Sequence, residues 1–288
     1  MVIPFCSTMA SKFSLRFASA ICILSIAVAD DSTAIRVALY TGHGITERGK
    51  HNTAAVLNYN GSGIVATSIN EIAVRSLSRD DYDVVFFPGG GGTAISNAIG
   101  PAGRLAVKKF IQNGGGYVGV CAGAFLASQH LGITSWGDTS RPVRGKTRGD
   151  GNCTITLTKE GVEDLSGFGV DTEAVSATSF FYANGPVMSN HYYKSAITNP
   201  RGLVVFTSKS VPIEKNYVGP NAGYGKVAVG VNNFGAGLVL VSGPHPETNH
   251  MDFPHEHGPP SQPGSTRAAL LHSYVKRVHY RSAEIVFL

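Results

Sequence analysis

The stretch Gly115-Gly-Tyr-Val-Gly-Val-Cys-Ala-Gly-Ala-Phe-Leu-Ala-Ser128 decides the fold. Tyr117-Val-Gly-Val120 reads as a short buried strand, and Ala122 to His130 as the helix it feeds, with Cys121 at the corner between them. A side chain on such a corner needs a sharp, strained turn that only small neighbours tolerate. Gly119 and Gly123 flank Cys121 two residues away on either side. The thiol is then presented at the C-terminal edge of a sheet, beside a helix N-terminus whose partial positive charge favours thiolate. The competing reading is a buried structural cysteine in a glycine-rich turn.

Working outward, the chain alternates strands and helices. Ile35 to Tyr40 reads as a first strand closed by Thr41-Gly-His-Gly44, Asn52 to Tyr59 as a short helix, and Gly63 to Ser68 as a strand. Asp83-Val-Val-Phe-Phe87 is an apolar run that ends in Pro88 and four glycines, as a buried strand does on entering a loop. Ala102 to Asn113 has helical spacing and stops at Gly114. This alternation predicts an α/β fold: a mainly parallel sheet with helices on both faces, of flavodoxin-like type. Cys153 to Thr158 alternates like an antiparallel addition, with Leu203 to Ser208 and Lys226 to Asn232 as further strands. Leu238 to Ser242 is a strongly apolar strand, Asn249 to Ser265 reads as a surface loop, and Thr266 to His279 as a final helix.

Two segments supply what chemistry at a thiol requires. His245-Pro-Glu247 follows the Leu238–Ser242 strand. An imidazole suits proton transfer at neutral pH, and an acid two residues on can hold the ring in one tautomer. Pro88-Gly-Gly-Gly-Gly92 offers a peptide N–H of Gly90 or Gly91 that could join that of Ala122 on an oxyanion. Glycine permits that close approach. No Gly-Lys-Ser/Thr follows the glycines, which argues against a nucleotide loop.

The first 29 residues differ from the rest. Lys12 and Arg16 precede an apolar run from Phe17 to Val28, and Ala27-Val-Ala29 supplies the small residues of a cleavage site. The run is about 12 residues, short of the roughly 20 needed to span a bilayer as a helix. The expectation is a signal peptide over 1–29, a single domain over 30–288, and a secreted or secretory-pathway, lysosome-like location. An uncleaved anchor or a mitochondrial presequence is the alternative. Without Lys12 and Arg16 the formal charge falls from +5 to +3, leaving little basic excess. The cluster Arg141 to Arg148 has no interleaved aromatics, so no nucleic-acid partner is expected. Cys121 and Cys153 remain after the leader and make no disulfide framework. Asn60-Gly-Ser62 and Asn152-Cys-Thr154 are glycosylation sequons, usable only on the secretory route.

The order Pro-Gly-Gly, Gly-x-Cys-x-Gly, His-Pro-Glu resembles the class I glutamine amidotransferase superfamily. More closely, it resembles the amidotransferase-like N-terminal domain of eukaryotic biotin–protein ligases. The matching segments are Tyr40-Thr-Gly-His-Gly44, Phe87-Pro-Gly-Gly-Gly91, Gly115 to Ser128, Tyr182-Ala-Asn-Gly-Pro186 and Ser242-Gly-Pro-His-Pro-Glu247. The resemblance implies the fold and a triad of Cys121, His245 and Glu247. The chain departs from it in two ways. No ligase catalytic domain or biotinyl-adenylate loop follows residue 250, so biotin ligation is not expected. Position 125 is Phe where glutamine-using members carry Gln, so glutamine specificity does not carry over.

His43, Glu47, Tyr182 and Asn184 are candidates for substrate contacts, on the rule that ligands of open α/β sheets bind at the strand C-termini. Merely exposed loop positions are the bland alternative. His250, His255, Glu256 and His257 crowd one loop, but their spacing matches no strong metal motif, and neither metal nor cofactor is expected. The expected activity is a Cys-His-Glu thiol hydrolase of amide or γ-glutamyl-type bonds, acting on a small-molecule or peptide amide. The alternative is a binding or regulatory module that keeps the fold without turnover. The sequence leaves the oligomeric state open.

Overall fold

Four short parallel strands, apolar on both faces, organise the molecule. The computed structural model describes residues 34–138, 150–190, 196–207, 224–249 and 259–284. The N-terminal half runs β1 (Ile35–Tyr40), α1 (Glu47–Leu57), β2 (Ile64–Ile69), β3 (Val84–Phe87), α2 (Gly92–Gln112), β4 (Gly116–Val120) and α3 (Ala122–Phe125). A π-helical turn, Leu126–Leu131, prolongs α3. The second half runs β5 (Trp136–Asp138), β6 (Asp150–Leu157), α4 (Lys159–Leu165), α5 (Thr172–Ala177), β7 (Ser179–Ala183), β8 (Met188–Asn190), β9 (Ile197–Phe206), β10 (Val227–Phe234), β11 (Gly237–Ser242) and α6 (Thr266–Glu284).

The strands form one sheet in the order β2-β1-β3-β4-β11-β10-β9-β6-β7, with β8 against β10 and β5 against β8. From β2 to β11 every pairing is parallel. From β11 outward every pairing is antiparallel. The parallel core expected from the alternating pattern is present, and the antiparallel extension is larger than the expected additions. The leader and the Arg141–Arg148 cluster lie outside the described residues, as do the loop positions His250, His255, Glu256 and His257.

Period-two alternation sends the side chains of each central strand into two cores. Val84 and Phe86 of β3 join Val37, Leu39, Val118 and Leu240 on the face covered by α1 and α6. Val85 and Phe87 join Ala38, Tyr117, Val239 and Val241 on the face covered by α2. Burial on both faces is why these strands read as continuous apolar runs rather than alternating ones. Each fully buried Val, Leu or Phe contributes roughly 1.5–3 kcal/mol. The β3, β4 and β11 bundle is therefore a rigid base for whatever its C-terminal ends carry.

Helix boundaries differ from expectation in physically readable ways. α1 starts at Glu47 rather than Asn52, because Thr46 caps it by accepting from Gly49 N at 3.1 Å. α2 begins ten residues before the expected Ala102, but it breaks at Gly100 (φ 66°) before Pro101. The expected segment is its second half, with proline at the favoured first turn. Among the described residues no helix is long and apolar enough to cross a membrane.

Candidate active site

β4 ends at Val120, and the chain turns into α3 through Cys121, whose φ of 52° is left-handed and unusual for a residue with a Cβ. Three contacts hold the turn. Cys121 N donates to Ser242 O of β11 at 2.8 Å, Phe125 N donates to Cys121 O at 3.1 Å, and Tyr117 Oη donates to Gly123 O at 2.8 Å. The flanking glycines are sterically required. A Cβ on Gly119 would stand 2.6 Å from the Gly123 carbonyl carbon, and one on Gly123 would collide with Phe87 O.

His245 follows β11 through Ser242-Gly-Pro. Its backbone N donates to Phe181 O at 2.8 Å, so β7 sets where the imidazole sits. His245 Nδ1 lies 2.6 Å from Glu247 Oε1. Both side chains are buried, His245 at 7% exposure and Glu247 at 1%. Glu247 is locked in turn: its carbonyl accepts from Ser261 N at 3.0 Å. Burial, the largest influence, disfavours the charged ring, but the Glu247 carboxylate and the Cys121 sulfur outweigh it, and the His245 pKa is raised. His245 Nε2 makes no well-aligned hydrogen bond, although the sulfur is near enough to affect the ring's charge. The thiol instead donates to Ala183 O at 3.3 Å.

Cys121, His245 and Glu247 line a cavity of about 220 Å³ together with Thr46, Arg48, Gly49, Gly89, Gly90, Phe125, Ala183 and Asn184. Stitching of the loops after β1 and β3 forms one wall: Thr46 N donates to Gly89 O at 3.2 Å, and Gly91 N donates to Gly44 O at 2.8 Å. That second bond corrects one expectation. The Gly91 N–H is occupied and Gly91 does not line the cavity, whereas Gly90 does. Glycine is needed at 90 because a Cβ there would overlap Gly44 O. Ala122 is the first residue of α3, where backbone N–H groups lack intrahelical partners.

Three of the expected substrate contacts lie elsewhere. His43 is exposed, its N–H turned to Glu71 and its carbonyl to Tyr40 Oη, and it does not line the cavity. Tyr182 is fully buried in β7 with its hydroxyl on Gly185 O. Period-two alternation turns it into the core. Glu47 points outward and pairs with Lys50 at 2.7 Å. Asn184 does line the cavity, held at φ 52° in the left-handed region that asparagine tolerates.

Sequence reasoning missed Thr46, Arg48 and Gly49. The sheet-edge rule pointed to their loop, but nothing in the local pattern distinguishes Arg48 from an ordinary exposed helix residue. Among the described residues no group of three or more His, Cys, Asp or Glu could hold a metal ion.

The fold is of the class I glutamine amidotransferase-like type. PurLQS from Thermotoga maritima superposes with a TM-score of 0.54 at 12% identity, covering 84% of this chain and 98% of that one. A protein described as ThuA-like from Parabacteroides merdae gives 0.51 at 12% identity, covering 87% and 91%. Residues 35–148 match the family model described as biotin–protein ligase, N terminal. No curated protein matched the sequence.

Proposed function

We propose that this chain is a thiol hydrolase of amide or γ-glutamyl-type bonds, with Cys121 as nucleophile, His245 as acid–base and Glu247 as the group that orients His245. The observation that carries this reading is the buried 2.6 Å His245–Glu247 pair in the same cavity as a cysteine held at positive φ. A raised proton affinity at His245 favours transfer of the thiol proton to Nε2. The sulfur then attacks the substrate carbonyl carbon, and the N–H groups of Ala122 and Gly90 donate to the developing oxyanion. Collapse breaks the carbon–nitrogen bond, and the ring returns its proton to the departing amine. Water, deprotonated by the same nitrogen, cleaves the thioester and restores the thiol. The leader pattern supports secretion, and of the two sequons Asn60 lies in an exposed turn.

The test is thiol reactivity followed by turnover. Burial pushes the Cys153 thiol up to about 12, so it serves as an internal inert reference. Iodoacetamide should alkylate Cys121 at least tenfold faster than Cys153, and wild type should release amine from an amide panel while Cys121→Ala does not. Equal labelling of the two cysteines would sink the hydrolase reading.

One observation favours a second reading, a binding module without turnover. Phe125 occupies the cavity wall where glutamine-using relatives carry Gln, and the Cys121 side chain is largely covered. Identical rates for wild type and Cys121→Ala across the panel would support it.

A further inference from the structure

Among the described residues lining the cavity, Arg48 is the sole cationic side chain apart from His245 itself. Its guanidinium carbon stands 4.7 Å over the centroid of the Phe181 ring. That ring, only 2% exposed, packs at 5.5 Å against the imidazole of His245. A cation stacked on a buried aromatic face is held in place, and a planar guanidinium suits bidentate recognition of a carboxylate.

The wall around Arg48 is built for the same charge. Thr46 caps the 11-residue helix α1 and Arg48 and Gly49 lie in its first turn, an end at which the helix dipole favours an anion. His245, whose Nε2 is buried, lines the same cavity. The cavity thus joins a reacting end, at Cys121 and His245, to an anion-favouring end at Arg48.

The lining is equally informative about what it lacks. Among the described residues its one carboxylate is Glu247, 1% exposed and held by His245 Nδ1. The Ala183 carbonyl already accepts from the thiol. A substrate ammonium group would enter beside Arg48 with no counter-charge among the described lining residues other than the already engaged Glu247, and burying an unpaired charge is costly.

We infer that Arg48 selects acyl substrates bearing a carboxylate but no ammonium, the half-amides of dicarboxylic acids, in preference to amino-acid amides. This rests on the thiol-hydrolase reading for turnover, though not for binding. With glutaric acid half-amide, Cys121 forms the thioester, ammonia leaves with the proton from His245, and water releases glutarate. Atoms and charges balance without a further reactant.

The experiment separates the two claims. Calorimetry with glutarate, the product, reads binding independently of turnover. Glutarate should bind wild type, bind Arg48→Met at least tenfold more weakly, and bind Arg48→Lys at an intermediate level. Lys retains the charge and loses the fork, and a folded Arg48→Lys keeps the comparison valid if Arg48→Met is unstable. In turnover, kcat/KM for glutaric half-amide should exceed that for L-glutamine at least tenfold, mostly through KM, with the preference lost in Arg48→Met. Glutarate affinity unchanged in both variants, or L-glutamine bound as tightly as glutarate, overturns the inference. Glutarate binding that depends on Arg48 in a protein that releases no ammonia would retain the anion site and reject the hydrolase.

Discussion

The Gly89 α-carbon lies against the edge of the His245 ring so closely that a Cβ added there would stand 2.7 Å from Cε1. The glycine run after β3 therefore serves the imidazole as well as the cavity wall: it is the floor on which the ring rests.

Gly89→Ala should consequently act on His245 rather than on the fold. The ring must shift by several tenths of an ångström, against a Glu247 that is itself held. A displacement approaching 1 Å in a reacting group can cost about a hundredfold in rate. The expected result is a ten- to hundredfold slower alkylation of Cys121, with a melting temperature close to that of wild type. Unchanged labelling would mean that the ring position is not critical.

Cys121 stores strain, since a non-glycine residue at φ 52° sits in a sparsely populated region that costs about 1–3 kcal/mol. Glycine relieves that strain, while its greater freedom in the unfolded chain costs roughly 0.5–1 kcal/mol. Cys121→Gly should therefore be more stable than Cys121→Ala by about 1 kcal/mol, although both lose the thiol. Denaturant unfolding of the two variants decides this. An alanine variant equal to or more stable than the glycine one would remove strain from the account of this corner.

How far these features were legible depends on whether their cause is local. β1 was read with its observed bounds because an apolar run buried on both faces meets a glycine turn. The Cys121 corner and His245-Pro-Glu247 were read because each follows a strand, and parallel strands deliver their C-terminal ends to one rim. β5 and β8, three residues each, carry too little pattern to be seen, and β7 owes its place to its pairing with β6. Arg48 was invisible for another reason. Its meaning lies in Phe181, which reaches it only through the antiparallel half of the sheet. Tyr182 and Asn184 share one family-like segment, but strand alternation buries Tyr182 and leaves Asn184 on the cavity.

The two sequons should behave differently if the chain takes the secretory route. Asn60 is exposed in the turn between α1 and β2. Asn152 lies mid-strand in β6, opposite Phe181, with its Oδ1 buried. A glycan at 60 meets only solvent, whereas one at 152 would have to displace packed sheet. In secreted material, Asn60→Gln should abolish the glycosidase-sensitive mobility shift and Asn152→Gln should leave it intact. The reverse pattern would contradict the burial argument.

The His245–Glu247 pair also makes stability depend on pH in a defined direction. Burial works against the charged ring, yet Glu247 and Cys121 raise the pKa to about 10 from an ordinary 6.5. A group that binds its proton more tightly when folded stabilises fully below its unfolded pKa and loses that contribution as pH rises through the folded one. The window therefore runs from about pH 6.5 to about pH 10. Glu247→Gln removes the carboxylate, leaving burial to disfavour the charged ring. Losing a charged, buried hydrogen bond of this kind costs about 1.5–3 kcal/mol. The variant should be destabilised by that amount near pH 6.5, and the gap from wild type should narrow steadily towards pH 10. Unfolding free energies of both proteins across this range provide the check. A gap that stays constant or widens with pH would show that the imidazolium is not what the Glu247 carboxylate holds.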